Sequence, residues 1–266
     1  MMKRIIIYII TIGVVLSSCS SDYRNAIPAN SIALLSLDVK GISEADNAGD
    51  KSIINSILQI EDIGQSGIDL NERIYLFEDA EGMLGLVACV DNEKKVESWF
   101  EELSQKNKCT KIKERKGYKF SVFNDSIVAG FSKSAIILMG PTIGSGQSKL
   151  QAKITKYLGT ENDNSIVNTP MYERLDSIET PIAMIIRGQA LPEKMLSLFS
   201  MGALSKAKPN DILMAASATV SDGCLNIVGE TFSFDNDIDL SIKSSLATYH
   251  PIEGKYIDCI SLNNVL

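Results

Sequence analysis

The chain has 266 residues, 45% of them hydrophobic, with a formal net charge of −7 and one histidine. That apolar fraction excludes a disordered chain, and the length allows one large domain or two ordinary ones. The acidic balance argues against nucleic acid as a partner, because phosphate binding needs a dominant basic surface.

Lys3 and Arg4 give a cationic start, and residues 5–16 form an apolar run interrupted only by Tyr8, Thr11 and Gly13. The run is too short to span a bilayer and has the form of a secretory signal. It ends in Leu16-Ser17-Ser18-Cys19, which resembles a lipobox: an aliphatic residue, two small ones, then the cysteine that is acylated. On this reading residues 1–18 are a signal peptide, Cys19 carries the lipid, and 19–30 form a polar tether.

Residues 31–39 read as a buried strand entered from Pro28, and 51–63 as a helix with apolar positions Ile53, Ile54, Ile57, Leu58 and Ile60. Residues 73–77 and 83–90 flank an acidic turn ending in Gly82, which predicts a hairpin. Asp91 is placed to cap a helix over 93–106 with the stripe Val96, Trp99, Phe100 and Leu103. Segments 110–115, 118–123, 126–130 and 135–139 read as a meander turned at Lys116-Gly117, Asn124-Asp125 and 132–134. The first module therefore covers 31–140, and a glycine- and serine-rich connector covers 141–165.

Thr169-Pro170 opens a helix through Ile178, followed by a strand over 181–187 and a helix over 191–204. Segments 212–220 and 224–234 then flank Ser221-Asp222-Gly223. This repeats the strand-helix-hairpin order of the first module, and the second, shorter module covers 166–250. Residues 26–32 can be laid over 259–265, so 251–266 read either as the start of a truncated third unit or as an edge strand ending the second. The predicted class is α+β: two related modules of antiparallel sheet with helices packed on one face.

Candidate chemistry is sparse. His250 has no G-x-S-x-G elbow to serve, and residues 140–149 fail the phosphate-loop spacing. Asp235, Asp237 and Asp239 alternate like calcium ligands but lack the glycine and glutamate such a loop needs, so a solvated edge strand is the expectation. Cys89, Cys109, Cys224 and Cys259 allow three pairings and have no C-x-x-C spacing; Cys89 and Cys224 read as buried free thiols. Lys111, Lys113, Arg115, Lys116 and Lys119 cluster on and beside one strand. They suit an anionic glycan or lipid head group, though basic side chains that protect a sheet edge are the plainer reading.

The lipobox Cys19, the opening Ile27-Pro28-Ala29-Asn30-Ser31-Ile32-Ala33-Leu34-Leu35-Ser36-Leu37-Asp38 and the later Gly254-Lys255-Tyr256-Ile257-Asp258 resemble a family of uncharacterised lipoproteins of Bacteroides-type bacteria, described only as a domain of unknown function. The resemblance implies no activity. Its members run longer than this chain, which implies a shortened member here. An acidic run after the lipidated cysteine marks surface export in such bacteria, and with Asp22 alone in residues 20–23 the periplasmic face of the outer membrane is expected. The resemblance also implies O-glycosylation at Asp-Ser-aliphatic tripeptides, here at Ser126 and Ser177.

The expected function is a non-catalytic, lipid-anchored envelope module that binds a protein or glycan and uses no cofactor or metal. A hydrolase built on carboxylates and a serine, and a truncated product of a longer lipoprotein, are the alternatives.

Overall fold

A computed structural model of the chain describes residues 22–45, 63–199, 207–221 and 224–248. Cys19, the signal peptide, the helix expected at 51–63, His250, Cys259 and the stretch 251–266 lie outside the described residues.

The α+β class is observed. Ten strands form one antiparallel sheet: β1 (Ala33–Leu37), β2 (Ile74–Glu78), β3 (Leu84–Cys89), β4 (Lys113–Arg115), β5 (Tyr118–Phe123), β6 (Ile127–Phe131), β7 (Ala135–Met139), β8 (Ile182–Arg187), β9 (Leu213–Ser221) and β10 (Cys224–Phe232). Their order across the sheet is β10-β9-β8-β1-β2-β3-β7-β6-β5-β4. The first strands of the two predicted modules pair with each other, Leu35 opposite Met184 and Leu37 opposite Ile182. From that seam the sheet reads alike in both directions: β1 is followed outward by the hairpin β2–β3, and β8 by the hairpin β9–β10. The strands of the two predicted modules thus lie in one sheet, where two separate sheets were expected.

The turns follow their residues. Lys116 and Gly117 have φ of 53° and 79°, and Asn124 and Asp125 have φ of 46° and 53°. Two consecutive left-handed residues match the twist of flanking strands, so both pairs close tight hairpins.

Helices cover both faces of the sheet, not the single face expected, because β2 alternates apolar residues to both sides. On one face α1 (Val39–Ala45) and α2 (Glu93–Gln105) bury Val39, Ile42, Val96, Trp99 and Phe100 over Ile74, Ala88, Phe131 and Ile136. These helices belong to the first module. On the other, α3 (Gly146–Leu158) and α4 (Pro170–Asp176) bury Leu150, Ile154, Met171, Tyr172 and Leu175 over Leu34, Tyr75, Phe77, Ile137 and Ile185. The alternation of β2 makes this possible, sending Tyr75 and Phe77 one way and Ile74 and Leu76 the other. The described parts of the second module add α5 (Glu193–Phe199) and α6 (Asn236–Leu246).

Several local readings are corrected. α2 is capped by Asn92, whose side chain accepts from Lys95 N at 3.1 Å, while the Asp91 amide is spent on Gly67 O. The connector 141–165 contains α3, which sits close on β6 because Gly130 is bare: a Cβ there would stand 2.6 Å from Ile154 Cγ2. Asp235, Asp237 and Asp239 begin α6 rather than lining a strand. The Asp235 carboxylate accepts from Asp237 N and Ile238 N, and Asp237 and Asp239 occupy the first turn, where the helix dipole favours negative charge. Finally, the described part of the expected tether 19–30 is docked: Tyr23, Ala26 and Ile27 are buried, since an aromatic and two apolar residues gain more from the sheet than from water.

Candidate functional site

α2 packs Val96, Trp99 and Phe100 on this face of the sheet. Beside it the outer halves of β2, β3, β6 and β7 carry Leu76, Leu86, Ile127 and Leu138, all half-buried, and Leu84, which is 57% exposed. Together with Trp99 from α2 these side chains bound a cavity of about 290 Å³. Every lining residue is apolar; the walls hold no charged, hydroxyl or amide side chain. Its floor, including Ile74, Ala88, Phe100 and Ile136, is fully packed. Such a pocket has no group to move a proton or attack a carbonyl. It can only exclude water from whatever enters it, at about 25 cal/mol per Å² of apolar surface covered.

A second, polar cluster lies on the opposite face. Tyr75 and Tyr172 share a hydrogen bond of 2.9 Å between their hydroxyls, and Arg24 Nη1 donates to Tyr172 Oη at 3.2 Å. Tyr23 Oη donates to Arg73 O at 2.8 Å, and Arg73 donates to Ser36 Oγ at 2.9 Å and to Thr180 O at 3.1 Å. Burial pushes the Tyr23 and Tyr75 phenols well above their ordinary range, so they stay neutral. The space among Ser36, Arg73, Tyr75 and Tyr172 is about 10 Å³, room for a water molecule and not for a substrate. This cluster pins the turn at Tyr23–Ala26 and α4 to the sheet.

A third polar element, not legible in advance, is the buried carboxylate of Asp79 in the β2–β3 turn. Its Oδ1 accepts from Glu81 N at 2.9 Å and Met83 N at 3.0 Å, and its Oδ2 from Lys153 Nζ at 2.7 Å and Tyr157 Oη at 3.2 Å. Burial alone raises its pKa, but Lys153 and the two amides outweigh that and hold it below the usual carboxylate value. Lys153 and Tyr157 both come from α3, so Asp79 ties that helix to the hairpin. The signal available was the pattern Leu150, Ile154 and Tyr157, one helix face.

The structure separates the predicted basic cluster. Lys111, Lys113, Arg115 and Lys116 are exposed on and around β4, the terminal strand of the sheet. Charged side chains there oppose edge-to-edge pairing. Lys119 is not with them: it stands opposite Glu114 and binds Glu93 at 2.7 Å and Glu97 at 2.5 Å, two carboxylates of α2 that raise its pKa. Ser126 is half-buried in the β5–β6 turn. Ser177 is exposed at the end of α4, where its hydroxyl donates to Arg174 O at 2.8 Å. Cys89 and Cys109 are free, half-buried thiols, and burial pushes Cys89 up to about 11.

Among the described residues no group of three or more His, Cys, Asp or Glu is placed to hold a metal ion, and no helix is long and apolar enough to cross a membrane. The fold is similar to that of TP0453: crystal form IV aligns over 80% of this chain and 81% of that one, with a TM-score of 0.50 and 10% identity. Crystal form III of TP0453 aligns over 88% and 90%, with a TM-score of 0.47 and 12% identity. At these identities the likeness concerns the fold alone. No curated protein matches the chain. A family model described as a domain of unknown function, DUF4836, matches residues 39–261, and the chain belongs to that family.

Proposed function

We propose that the protein is a non-catalytic binding module of the cell envelope, held to the periplasmic face of the outer membrane by lipid on Cys19, and that the apolar pocket beside α2 is its binding site. The observation that carries the binding reading is the lining: a cavity of about 290 Å³ with no titratable or nucleophilic side chain in its walls. That volume stands at the lower end of small-molecule sites, about 300–1,000 Å³. A hydrolase would need an acid, a base or a nucleophile facing its substrate, and among the described residues the tyrosine and arginine cluster on the opposite face encloses only about 10 Å³. The Leu16-Ser17-Ser18-Cys19 sequence supports the anchor.

Two measurements test the two halves of the reading. Expressed in its own host with a palmitate analogue, the protein is expected to take up label, and Cys19→Ala to take up none; an unlabelled wild type would remove the anchor. The soluble body from Ser20 onward is expected to brighten N-phenylnaphthylamine saturably at one probe per chain. Absence of brightening, or brightening unchanged in Leu138→Phe, would remove the pocket as the site.

A further inference from the structure

We infer that the pocket takes a single unbranched alkyl chain, the tail of a fatty acid, inserted end-on with its carboxylate left in solvent. This rests on the proposed binding role of the pocket and names the chemical class of its ligand.

The lining decides what is excluded. A peptide, whether strand or helix end, carries an N–H and a C=O at nearly every residue, and a sugar carries a hydroxyl at most carbons. Each such group loses its water on entry, and the side chains it meets, leucine, isoleucine, methionine, alanine, proline and aromatic residues, offer few partners beyond the indole N–H of Trp99. An alkyl chain has nothing to satisfy and gains from every methylene covered.

Size decides between one chain and more. An apolar cavity of roughly 150 Å³ stays dry and accommodates benzene. At about 290 Å³ this pocket is nearly twice as large. It therefore holds a chain of about ten carbons, and neither a second chain nor a sterol fits beside it.

The shape decides the direction. Ile74, Ala88, Phe100 and Ile136 close the inner end, each with 1% or less of its surface exposed, while Leu84 at 57% stands at the opening. A charged head group can remain hydrated only there. Most of the walls come from strands and α2, with Ile68, Gly140 and Pro141 added from loops, so little ordering opposes entry.

Trp99 lines the cavity and is the single tryptophan of the chain, so its fluorescence reads occupancy directly. Titration of the soluble body with dodecanoate brominated at its terminal carbon is expected to quench Trp99 by more than about half, because bromine quenches only at near contact and the tail must pass this ring. Affinity measured by competition is expected to rise about fourfold per methylene from octanoate and to level off once about ten carbons are covered. Leu84→Glu, a change at an exposed position opposite Glu78, is expected to weaken dodecanoate at least tenfold through carboxylate repulsion at the mouth, whereas Leu84→Gln, which adds no charge, is expected to weaken it less than threefold. Leu138→Phe, which fills the interior, is expected to move the plateau to a shorter chain.

No quenching, affinity independent of chain length, or quenching untouched by both Leu84→Glu and Leu138→Phe would overturn the assignment. So would equal quenching by phosphatidylcholine vesicles with brominated tails, which would mean contact with a membrane surface. If the fatty acids fail while N-phenylnaphthylamine still binds and Leu138→Phe abolishes it, the alkyl assignment falls and the binding pocket stands. If neither binds, both fall.

Discussion

Truncating Phe100 to alanine is expected to lower the unfolding free energy by about 4 kcal/mol, within the range for deleting a fully buried aromatic ring. Phe100 has no exposed surface, and its ring lies 5.2 Å from Phe131, 5.3 Å from Phe123 and 5.3 Å from Trp99. Those partners come from β6, β5 and α2 itself, so one side chain joins the helix to two strands. The void left by the ring would join the pocket that Phe100 already lines, so packed atoms do not close around it. Phe100→Leu keeps most of the volume and is expected to cost less than half as much. Urea titration followed by Trp99 emission and by far-ultraviolet circular dichroism measures both. A loss under about 1 kcal/mol in the alanine variant would mean that α2 is not seated on the sheet as described.

Asp79→Ala is expected to cost about 3 kcal/mol, the lower part of the range for removing one partner of a buried ion pair, since Lys153 keeps 19% of its side-chain surface in water while Asp79 keeps 2%. The loss has two parts. Tyr157 loses its acceptor and Lys153 keeps only its exposed partner Glu81 at 3.0 Å, while the amides of Glu81 and Met83 lose the carboxylate that closes the turn. Asp79→Asn retains an oxygen for the amides and is expected to fall between wild type and alanine. Because the carboxyl is held below its ordinary value of 3.8, the folded state binds this proton less readily than the unfolded one. Its stabilisation is therefore complete above that ordinary value and disappears as pH falls through the lowered one. Chemical denaturation between neutral pH and the acid limit should show wild type converging on the alanine variant in acid. A wild type and variant separated by the same amount at all pH values would show that the charge on Asp79 contributes nothing.

Much of the framework is legible because its signals are local. The Lys116-Gly117 and Asn124-Asp125 turns carry residues that tolerate left-handed backbone, and each hairpin lies where those pairs put it. Thr169 and Pro170 mark a helix start, and Thr169 Oγ accepts from Tyr172 N at 3.2 Å as such a cap does. α3 escaped notice because the glycine and serine residues at its entrance outweighed the face made by Leu150, Ile154 and Tyr157. The aspartates at 235, 237 and 239 fit an alternating strand as well as a helix start, and only Ile238 and Ile242, one turn apart and both buried, decide for the helix. Position along the chain places Lys119 with the basic cluster, whereas register puts it opposite Glu114 and within reach of Glu93 and Glu97 of α2. The pocket could not be read at all. Leu76, Leu86 and Leu138 look like ordinary core residues, and their alternation along the strands does not tell a filled face from an open one.

The seam between β1 and β8 also sets an order of events for a growing chain. β1 has β2 to pair with early, but its other row of amides and carbonyls waits for Ile182–Arg187, about 145 residues after Leu37, a delay of roughly 7–30 s at ~5–20 residues per second. Through that interval five consecutive residues of Ala33–Leu37 offer an open template to any other extended segment. Until Ile182–Arg187 arrives, β1 is an edge strand, and in the finished sheet it is an interior one.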